Sequence, residues 1–465
     1  MTITATRSTE LDQHRELNAD ETAVKSVRAR IAEAGVEYVY YQIVTLTGRV
    51  VGKVVPARHL PRNIEHGIQA HPGVVADLQV DGSGAMLAGS PERGECVVLP
   101  DLDSFGVLPW DTRTGFFFCR MYEPDHAPGD DGGRPVPIDA RGNLRRVHAG
   151  FTARTGLEMR SGIEPEVTWE VPGLSTEHVP GTPHTMYHLE HMERLRPVYQ
   201  KVIEYGRALG LDMIEGNCED PGQLELNWMF DHADRTADRL ILHRQICRRV
   251  AREAGATVSF MPKPADDRFG NGCHHNISLW DGERNVFVDP DVPGLHLTQT
   301  GKDALGGILT HAAASTAVMG PTVNSYKRYL HTGQFAPLEI NWGMDNKTCA
   351  VRMPANGRLE IKSPDSMVNP YLSHAVLLAA VEDGLTQGID PGLPRTTGTG
   401  VPSPFGSLPL TLKDALDLFA VDQAVARGLG SELADLFLRL KTREWERFCA
   451  SVTDWERRMY GAEGC

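Results

Sequence analysis

The stretch that decides the fold is MPKPADDRFGNGCHHNISLW, residues 261–280. Two prolines flank a lysine at its start, and the glycine-rich residues 269–272 follow. Glycine and proline mark loops, whereas the alternating apolar residues 277–280 are typical of a strand. The stretch therefore predicts a loop that turns back tightly and enters a strand with His274 at its mouth. A histidine there can bind a metal or polarise a substrate, although a satisfied structural histidine is the alternative.

The bulk composition narrows the class of protein. The chain has 465 residues, 41% hydrophobic and 23% charged, with a formal net charge of −14. This length predicts two or three domains, and the acidic balance argues against nucleic-acid binding. No apolar run is long enough to span a bilayer, and the polar residues 1–18 predict a disordered tail without a signal core. The eight cysteines lack CxxC spacing and predict reduced thiols, so we expect a cytoplasmic protein without membrane partners.

The first part of the chain predicts a small domain. Apolar residues at helical spacing predict a helix over residues 21–35. Strand-like runs follow at residues 38–44 and 50–55, on either side of a turn. Further strands are predicted at residues 75–78, 94–100 and 108–122. Residues 125–137 are rich in Asp, Gly and Pro and indicate a domain boundary.

The rest of the chain alternates helical and strand-like patterns. Helices are predicted at residues 141–155, 191–209, 236–254, 302–319, 370–385, 412–418 and 431–460. Strands are predicted at residues 163–170, 224–229, 257–261, 341–353 and 359–363. This alternation predicts a sheet with helices on its outer face.

Acidic residues stand at the ends of several predicted strands. Glu164 and Glu166 are two positions apart, so on a strand they project to one face. Adjacent carboxylates repel each other and tend to keep their protons, and a divalent cation removes this conflict. A solvent-facing edge with two exposed acids is the alternative. Glu225 and Asn227 form a similar pair on a second strand.

A third strand carries a row of alternating charge. Arg358, Glu360 and Lys362 would share one face, which suits a site for a metal and a phosphate, although a surface salt-bridge ladder is the alternative. Together, five glutamates and His274 offer ligands that suit Mg²⁺ or Mn²⁺ better than structural zinc. Paired ions of this kind indicate phosphoryl chemistry with ATP. Walker and Rossmann motifs are missing from the sequence, which argues against a P-loop or dinucleotide fold.

Six ordered motifs resemble those of the glutamine synthetase family, type I. They are PDLDSFGVLPW (100–110), GIEPE (162–166), GQLELN (222–227), MPKP with GNGCHHNISL (261–279), GPTVNSYKR (320–328) and NGRLEIKSPD with NPYL (356–372). The resemblance implies an α+β fold with a β-grasp domain over residues 19–125. It implies a catalytic domain over residues 126–465, built on a curved antiparallel sheet with outer helices. It also implies a homo-oligomeric ring, a hexamer or dodecamer, whose active sites are shared between subunits.

The resemblance further implies ligands for glutamate, ATP and two or three Mg²⁺ or Mn²⁺ ions. One ion would be held by Glu166, Glu225 and either Glu219 or Asp220, and another by Glu164, His274 and Glu360. Glutamate would contact Gly270, Arg328 and Lys362, and ATP would contact Ser278, Arg352 and Arg358. The residues around the transferred phosphate would be Arg328, Lys347, Arg352 and Lys362.

The chain departs from the family pattern where ammonium would bind. The family carries an Asp in the first hairpin turn and a Glu in a flap, and this chain has Thr45 and Phe335 there. Losing two acids removes the anchor and the base that ammonium needs. Phe335 would add an apolar wall, so Thr45 and Phe335 are predicted to line a pocket for an organic amine. Lys347 and Lys362 also stand where Arg is usual, and they lack its bidentate fork.

The sequence therefore predicts a γ-glutamylamide synthetase, which joins glutamate to an organic primary amine at the expense of ATP. An alkylamine, ethanolamine or a weakly basic aromatic amine fits the loss of acids better than a polyamine. A true glutamine synthetase that uses ammonium is one alternative. A catalytically inactive ring with a structural or regulatory role is the other, although the retained metal-type residues argue against it.

Overall fold

A computed structural model of the chain describes residues 8–173, 186–289, 291, 297–331, 336–354, 357–396 and 403–461. The strands are β1 (Tyr38–Val44), β2 (Val50–Pro56), β3 (Ile68–Ala70), β4 (Cys96–Pro100), β5 (Gly106–Val107), β6 (Thr114–Tyr122), β7 (Glu158–Glu170), β8 (Met213–Asn217), β9 (Gln223–Trp228), β10 (Asp231–His232), β11 (Thr257–Ser259), β12 (Cys273–Asp281), β13 (Arg284–Asn285), β14 (Trp342–Met344), β15 (Val351–Met353) and β16 (Leu359–Ile361). The helices are α1 (Glu10–Asn18), α2 (Glu21–Ala34), α3 (Leu60–His66), α4 (Ala140–Thr155), α5 (Leu189–Arg194), α6 (Arg196–Ala208), α7 (Ala233–Glu253), α8 (Gln299–Met319), α9 (Ser325–His331), α10 (Pro370–Gln387), α11 (Leu412–Val421), α12 (Gln423–Leu429), α13 (Ser431–Cys449) and α14 (Asp454–Tyr460).

Two sheets organise the chain. The N-terminal sheet has the order β2-β1-β6-β4-β3, with β5 on β6, and its β1–β6 pair is parallel. The larger sheet has the order β14-β15-β16-β12-β7-β9-β8 and is antiparallel except for the pair β14–β15. The long strand β7 lies inside this sheet, paired with β12 on one side and β9 on the other. The α+β class with a curved, largely antiparallel catalytic sheet is confirmed, whereas the domain limits at residues 19–125 and 126–465 stay a prediction.

Two apolar helices, α8 and α10, pack against each other behind the larger sheet. Their small residues allow this, because an added Cβ at Gly307 would lie 2.1 Å from the carbonyl oxygen of Ala380. An added Cβ at Gly384 would likewise lie 2.1 Å from the carbonyl oxygen of Asp303. Glycine is therefore required for the helices to approach this closely. Within the described residues, no helix is both long and apolar enough to cross a membrane.

A buried carboxylate joins the two halves of the chain. Asp101, in the N-terminal half, pairs with Arg120 at 2.7 Å and with Arg141 and Arg145 of α4. His14 of α1 approaches the same carboxylate at 3.2 Å. Burial would raise the pKa of Asp101, but Arg141, His14 and Arg145 hold it well below its usual range. The ionised carboxylate therefore ties α1 and the N-terminal sheet to α4.

Five secondary-structure predictions are wrong in part. The predicted tail at residues 1–18 is a helix, α1, from Glu10 onward, because Thr9 caps it in a capping box and Leu11 is fully buried. Residues 75–78 are not a strand, since a 3₁₀ turn occupies Pro72–Ala76. Residues 341–353 form two short strands, β14 and β15. The single helices predicted at residues 191–209 and 431–460 are each broken into two, the second where Thr453 caps α14.

Packing among α8, α10 and α12 includes a histidine held between two acids. Nδ1 of His311 lies 2.7 Å from Asp422, and its Nε2 lies 3.2 Å from Asp383. Burial lowers the pKa of His311, but the two carboxylates outweigh it and raise the pKa above the usual 6.5. Because folding raises the pKa of His311, its pairing with the two carboxylates stabilises the fold fully below pH 6.5. This stabilisation is lost as the pH rises through the pKa that His311 has in the folded chain.

We therefore expect His311→Asn to lower the free energy of unfolding by about 1 kcal/mol at pH 6, and by less as the pH rises. Urea unfolding at pH 6, 7, 8 and 9 measures this difference. The exposed His126, which lies outside this packing, provides the matched control, His126→Asn. A difference at His311 that is constant over this range would contradict the assignment.

Candidate active site

The register of the larger sheet gathers the predicted acids on one face. Glu166 of β7 lies opposite Glu225 of β9, and Glu225 lies opposite Asn217 of β8. On the other side of β7, Glu164 lies opposite His274 of β12. Because side chains two positions apart share a face of a strand, these polar groups form one belt across the sheet.

The belt contains two groups that could each hold a cation. Ligand atoms of Glu164, His274 and Glu360 lie within 4.8 Å of one another, and those of Glu166, Glu219 and Glu225 do the same. His274 stands between the groups, with Nδ1 3.4 Å from Glu164 and Nε2 3.8 Å from Glu166. The structure thus brings together both predicted ligand sets, and their binding of metal stays a prediction.

Glu219, rather than its neighbour Asp220, belongs to the second group. Asp220 is 2% exposed, accepts a hydrogen bond from the Phe269 N–H at 3.2 Å and lies 3.8 Å from Arg268. Its carboxylate is therefore engaged with the residues that precede Gly270. Glu219 instead lines the cavity in front of the sheet.

Burial and mutual repulsion shift the titration of these acids. Burial and then the charge of Glu219 raise the pKa of Glu166 to about 8. Burial and then the charges of Glu164 and Glu166 raise the pKa of Glu225 well above its usual value. Burial, followed by nearby Lys362, lowers the pKa of His274 well below 6.5 and keeps its imidazole neutral. Oxygen-rich, mutually repelling acids with a neutral imidazole form a donor set that fits a hard divalent cation.

Basic side chains line the same cavity as the acids, which has a volume of about 440 Å³. Arg352 donates to Glu360 at 2.9 Å, and Nζ of Lys362 lies 3.5 Å from Glu360. Nε of Arg358 donates to Asn276 at 2.6 Å, and Nζ of Lys347 donates to the Tyr187 hydroxyl at 3.3 Å. The predicted basic residues Arg328, Lys347, Arg352, Arg358 and Lys362 all line this cavity.

Arg328 and Gly270 form the wall next to His274. Arg328 is 3% exposed and donates to the carbonyl oxygens of Lys362 at 3.1 Å and Ser363 at 3.3 Å. An added Cβ at Gly270 would lie 2.6 Å from Cγ of Arg328 and 2.8 Å from the carbonyl oxygen of Pro262. Residue 270 must therefore be glycine for Arg328 to reach the cavity.

Two of the described residues that were predicted for the site do not border this cavity. Ser278 lies on β12, accepts the indole N–H of Trp280 at 2.8 Å and does not border the cavity. Thr45 is fully buried beside Thr47, at 2.9 Å, and its carbonyl oxygen accepts a hydrogen bond from Asn369. The Thr45 side chain is thus enclosed within a single chain, and its part in an amine pocket stays a prediction. Phe335 lies outside the described residues.

Other cavity residues escaped the sequence reasoning. Tyr187 lines the cavity with a left-handed backbone, φ 59°, and its sequence surroundings carry no motif. Asn217 lies on β8, a strand that the hydrophobic pattern did not predict. Predicting a hairpin between β8 and β9 would have placed Asn217 opposite Glu225.

Comparison with known proteins defines the class. Residues 137–460 match the family model of the glutamine synthetase catalytic domain. The chain therefore belongs to the glutamine synthetase family and is an ATP-dependent ligase.

Its relatives carry two kinds of name. The chain is 33% identical over 402 residues to a glutamine synthetase of Rhizobium leguminosarum bv. phaseoli, covering 82% of this chain and 90% of that protein. It is 31% identical over 449 residues to the glutamate–methylamine ligase of Methyloversatilis universalis, covering 92% and 97%. The solved structure of GmaS in complex with ADP aligns with a TM-score of 0.81 at 31% identity, over 93% of this chain and 99% of that chain. GmaS without ligand aligns with a TM-score of 0.82 at 32% identity, over 92% and 98%.

The raised pKa of Glu166 predicts that the free energy of unfolding depends on pH in metal-free buffer. The folded chain keeps the Glu166 proton up to about pH 8, whereas the unfolded chain loses it near 4.5. The free energy of unfolding should therefore fall as the pH rises from about 5 to 8. We expect Glu166→Gln to remove much of this slope, to raise metal-free stability by on the order of 2 kcal/mol at pH 8, and to reduce the stabilisation by added Mg²⁺.

Denaturant unfolding with and without Mg²⁺ measures both effects. Glu215 lines the same cavity but is exposed and outside both acid groups, so Glu215→Gln is the matched control. Equal pH slopes in the two variants would contradict the assignment of Glu166.

Proposed function

We propose that this protein ligates the γ-carboxylate of glutamate to an organic primary amine, with conversion of ATP to ADP and phosphate. The observation that carries the proposal is the cavity where the two acid groups face five basic side chains. Two hard-cation sites opposite a set of Arg and Lys suit the binding and transfer of a phosphoryl group.

In the proposed reaction, the glutamate γ-carboxylate attacks the γ-phosphorus of ATP, and the bond to ADP breaks. The amine lone pair then forms a C–N bond to the γ-glutamyl carbonyl carbon of the acyl phosphate. The C–O bond to the phosphoryl group breaks, phosphate leaves with its electron pair, and the nitrogen releases a proton. Water must be excluded, because it would hydrolyse the acyl phosphate.

The residues of the chain supply the charges that this sequence of steps needs. Arg328 and Lys362 line the cavity and would bind glutamate, where the α-carboxylate and the transferred phosphoryl group need positive charge. Lys347 and Arg352 line the same cavity and would neutralise the moving phosphoryl group. The acid groups would hold Mg²⁺ or Mn²⁺, which supplies charge neutralisation to the phosphates when bound.

Two observations support an organic amine over ammonium. A glutamate–methylamine ligase covers nearly the whole chain at 31% identity, and the family acids expected near the amine read Thr45 and Phe335. Phe335 would favour an alkyl or aryl group on the nitrogen. A true glutamine synthetase is the second candidate, favoured by the 33% identity to glutamine synthetases.

We also propose that the chain assembles into a homo-oligomeric ring, hexameric or dodecameric, and works in the cytoplasm. Family membership supports the ring, in which neighbouring subunits would complete each active site. Size measurement by light scattering tests this proposal directly. A monomer that turns over an amine at full rate would contradict the shared site.

A phosphate-release assay with glutamate, ATP, Mg²⁺ and a panel of amines tests the function. We expect kcat/KM for at least one of methylamine, ethanolamine or aniline to exceed that for ammonium by about tenfold or more, since an apolar wall at Phe335 would bind an alkyl or aryl group that ammonium lacks. Mass spectrometry of the product should show the γ-glutamylamide. The highest kcat/KM with ammonium would instead establish the glutamine synthetase, and no ATP turnover with any amine would favour an inactive ring.

A further inference from the structure

The strand glutamates of the cavity share an arrangement in which one oxygen is occupied by the protein. Oε1 of Glu164 accepts the amide Nδ2 of Asn276 at 3.0 Å. Oε2 of Glu166 accepts the backbone N–H of Gly272 at 2.6 Å. In each case the donor belongs to β12 or to the turn that leads into it.

Glu360 and Glu225 repeat the arrangement on other strands. Oε2 of Glu360 accepts Nη1 of Arg352 at 2.9 Å. Oε1 of Glu225 accepts two amides, Nδ2 of Asn217 at 3.0 Å and Nδ2 of Asn227 at 2.7 Å. These hydrogen bonds come from different strands, so the arrangement is a property of the whole belt.

The second oxygen of Glu164, Glu166 and Glu360 lies near His274. Oε2 of Glu164 and Oε1 of Glu360 lie 3.4 Å and 3.7 Å from Nδ1 of His274. Oε1 of Glu166 lies 3.8 Å from Nε2 of the same ring. Glu164 and Glu166 therefore each offer one oxygen to the cavity while the other oxygen is held by an N–H donor, and Oε1 of Glu360 also accepts Nζ of Lys362 at 3.5 Å.

The hydrogen bonds from Asn217 and Asn227 to Glu225 carry an energetic cost. Oδ1 of Asn217 and Oδ1 of Asn227 are both buried without a hydrogen-bond partner among the described residues. A buried, unpaired carbonyl oxygen is unfavourable, so a purely structural asparagine would be expected to satisfy both ends of its amide. The orientation of both amides instead follows the demand of Glu225 for donors.

We propose that these N–H donors restrict the strand glutamates to one ligand oxygen each and thereby set the cation selectivity of the site. This inference rests on the cation site of the proposed function. Mg²⁺ requires near-octahedral coordination by single oxygens, whereas Ca²⁺ takes six to eight oxygens and often binds carboxylates through both. Donors that occupy the second oxygen therefore select against Ca²⁺, and Asn217 and Asn227 are positioning residues for Glu225.

Glu219 differs from the strand glutamates, because its carboxylate is not restricted to one ligand oxygen. No described residue donates a hydrogen bond to its carboxylate, which lies in a loop rather than on a strand. The selectivity of the second acid group therefore depends on Glu166 and Glu225. Releasing Oε1 of Glu225 should be sufficient to let a larger cation bind through both oxygens of that residue.

Cation binding to the full-length protein tests the inference without reference to turnover. Isothermal titration calorimetry measures the affinity for Mg²⁺, Mn²⁺ and Ca²⁺ in the wild type, in Asn217→Ala, in Asn227→Ala and in the double variant. We expect the ratio of Mg²⁺ to Ca²⁺ affinity to fall by about tenfold in the double variant, because outer-shell partners change metal affinity by 10- to 100-fold. Each single variant should give a smaller fall, since one donor remains on Oε1.

Asn143 is the matched control for the loss of a buried amide. It is 4% exposed, and its Nδ2 donates to the carbonyl oxygen of Gly428 at 2.9 Å, away from the cavity. Asn143→Ala should leave the cation affinity ratio unchanged. If the double variant does not fold, Asn217→Ser at the partly exposed end of β8 provides the measurement.

The possible outcomes separate this inference from the proposed function. If the wild type binds Mg²⁺ but all cation affinities fall equally in the Asn217 and Asn227 variants, the donors only support the carboxylate and the inference is overturned. An unchanged ratio in the double variant overturns it as well, while leaving the proposed ligase intact. A wild type that binds no divalent cation overturns both the inference and the proposed cation site.

Discussion

The mutual repulsion of buried carboxylates is the constraint on which the rest of the structure depends. The register of β7, β9 and β12 brings Glu164, Glu166 and Glu225 to one belt together with His274. Burial and neighbouring charge raise the pKa of Glu166 and Glu225, so a chain selected for stability alone would not place them there. The basic side chains that line the same cavity reduce this conflict, and the cations proposed to bind there would remove the rest.

The frame behind the belt keeps the acids in place. Ser366 donates its hydroxyl to the carbonyl oxygens of Glu166 and Gly272, and Arg244 donates to the carbonyl oxygens of Ser366 and Val368. Asn369 caps α10 and also holds the turn after β1. The metal-type strands, the helices behind them and the N-terminal hairpin are thus one continuous hydrogen-bonded frame.

Phosphoryl transfer, the choice of amine and the choice of cation depend on different parts of the structure. Phosphoryl transfer depends on acids and cations that the sheet register arranges, and relatives named glutamine synthetase and glutamate–methylamine ligase both match this chain over most of its length. In the proposed function, the choice of amine would depend on a few loop and rim residues, because the acids and bases of the sheet would be engaged with cations and phosphate. Selectivity for the cation depends on a third group, the amides and backbone N–H groups behind the carboxylates.

The sequence by itself determined the family, the alternation of strands and helices and the acids of the belt, because six motifs and the i, i+2 spacing of Glu164 and Glu166 are local features. It could not predict that Glu219 rather than Asp220 would join the belt, since that depends on how the loop folds against Phe269. Nor could it place Asn217 opposite Glu225, show that Thr45 is buried, or assign the helix at Glu10–Asn18. Only the tertiary structure decided these points, because strand register, loop path and burial depend on contacts between residues far apart in the chain.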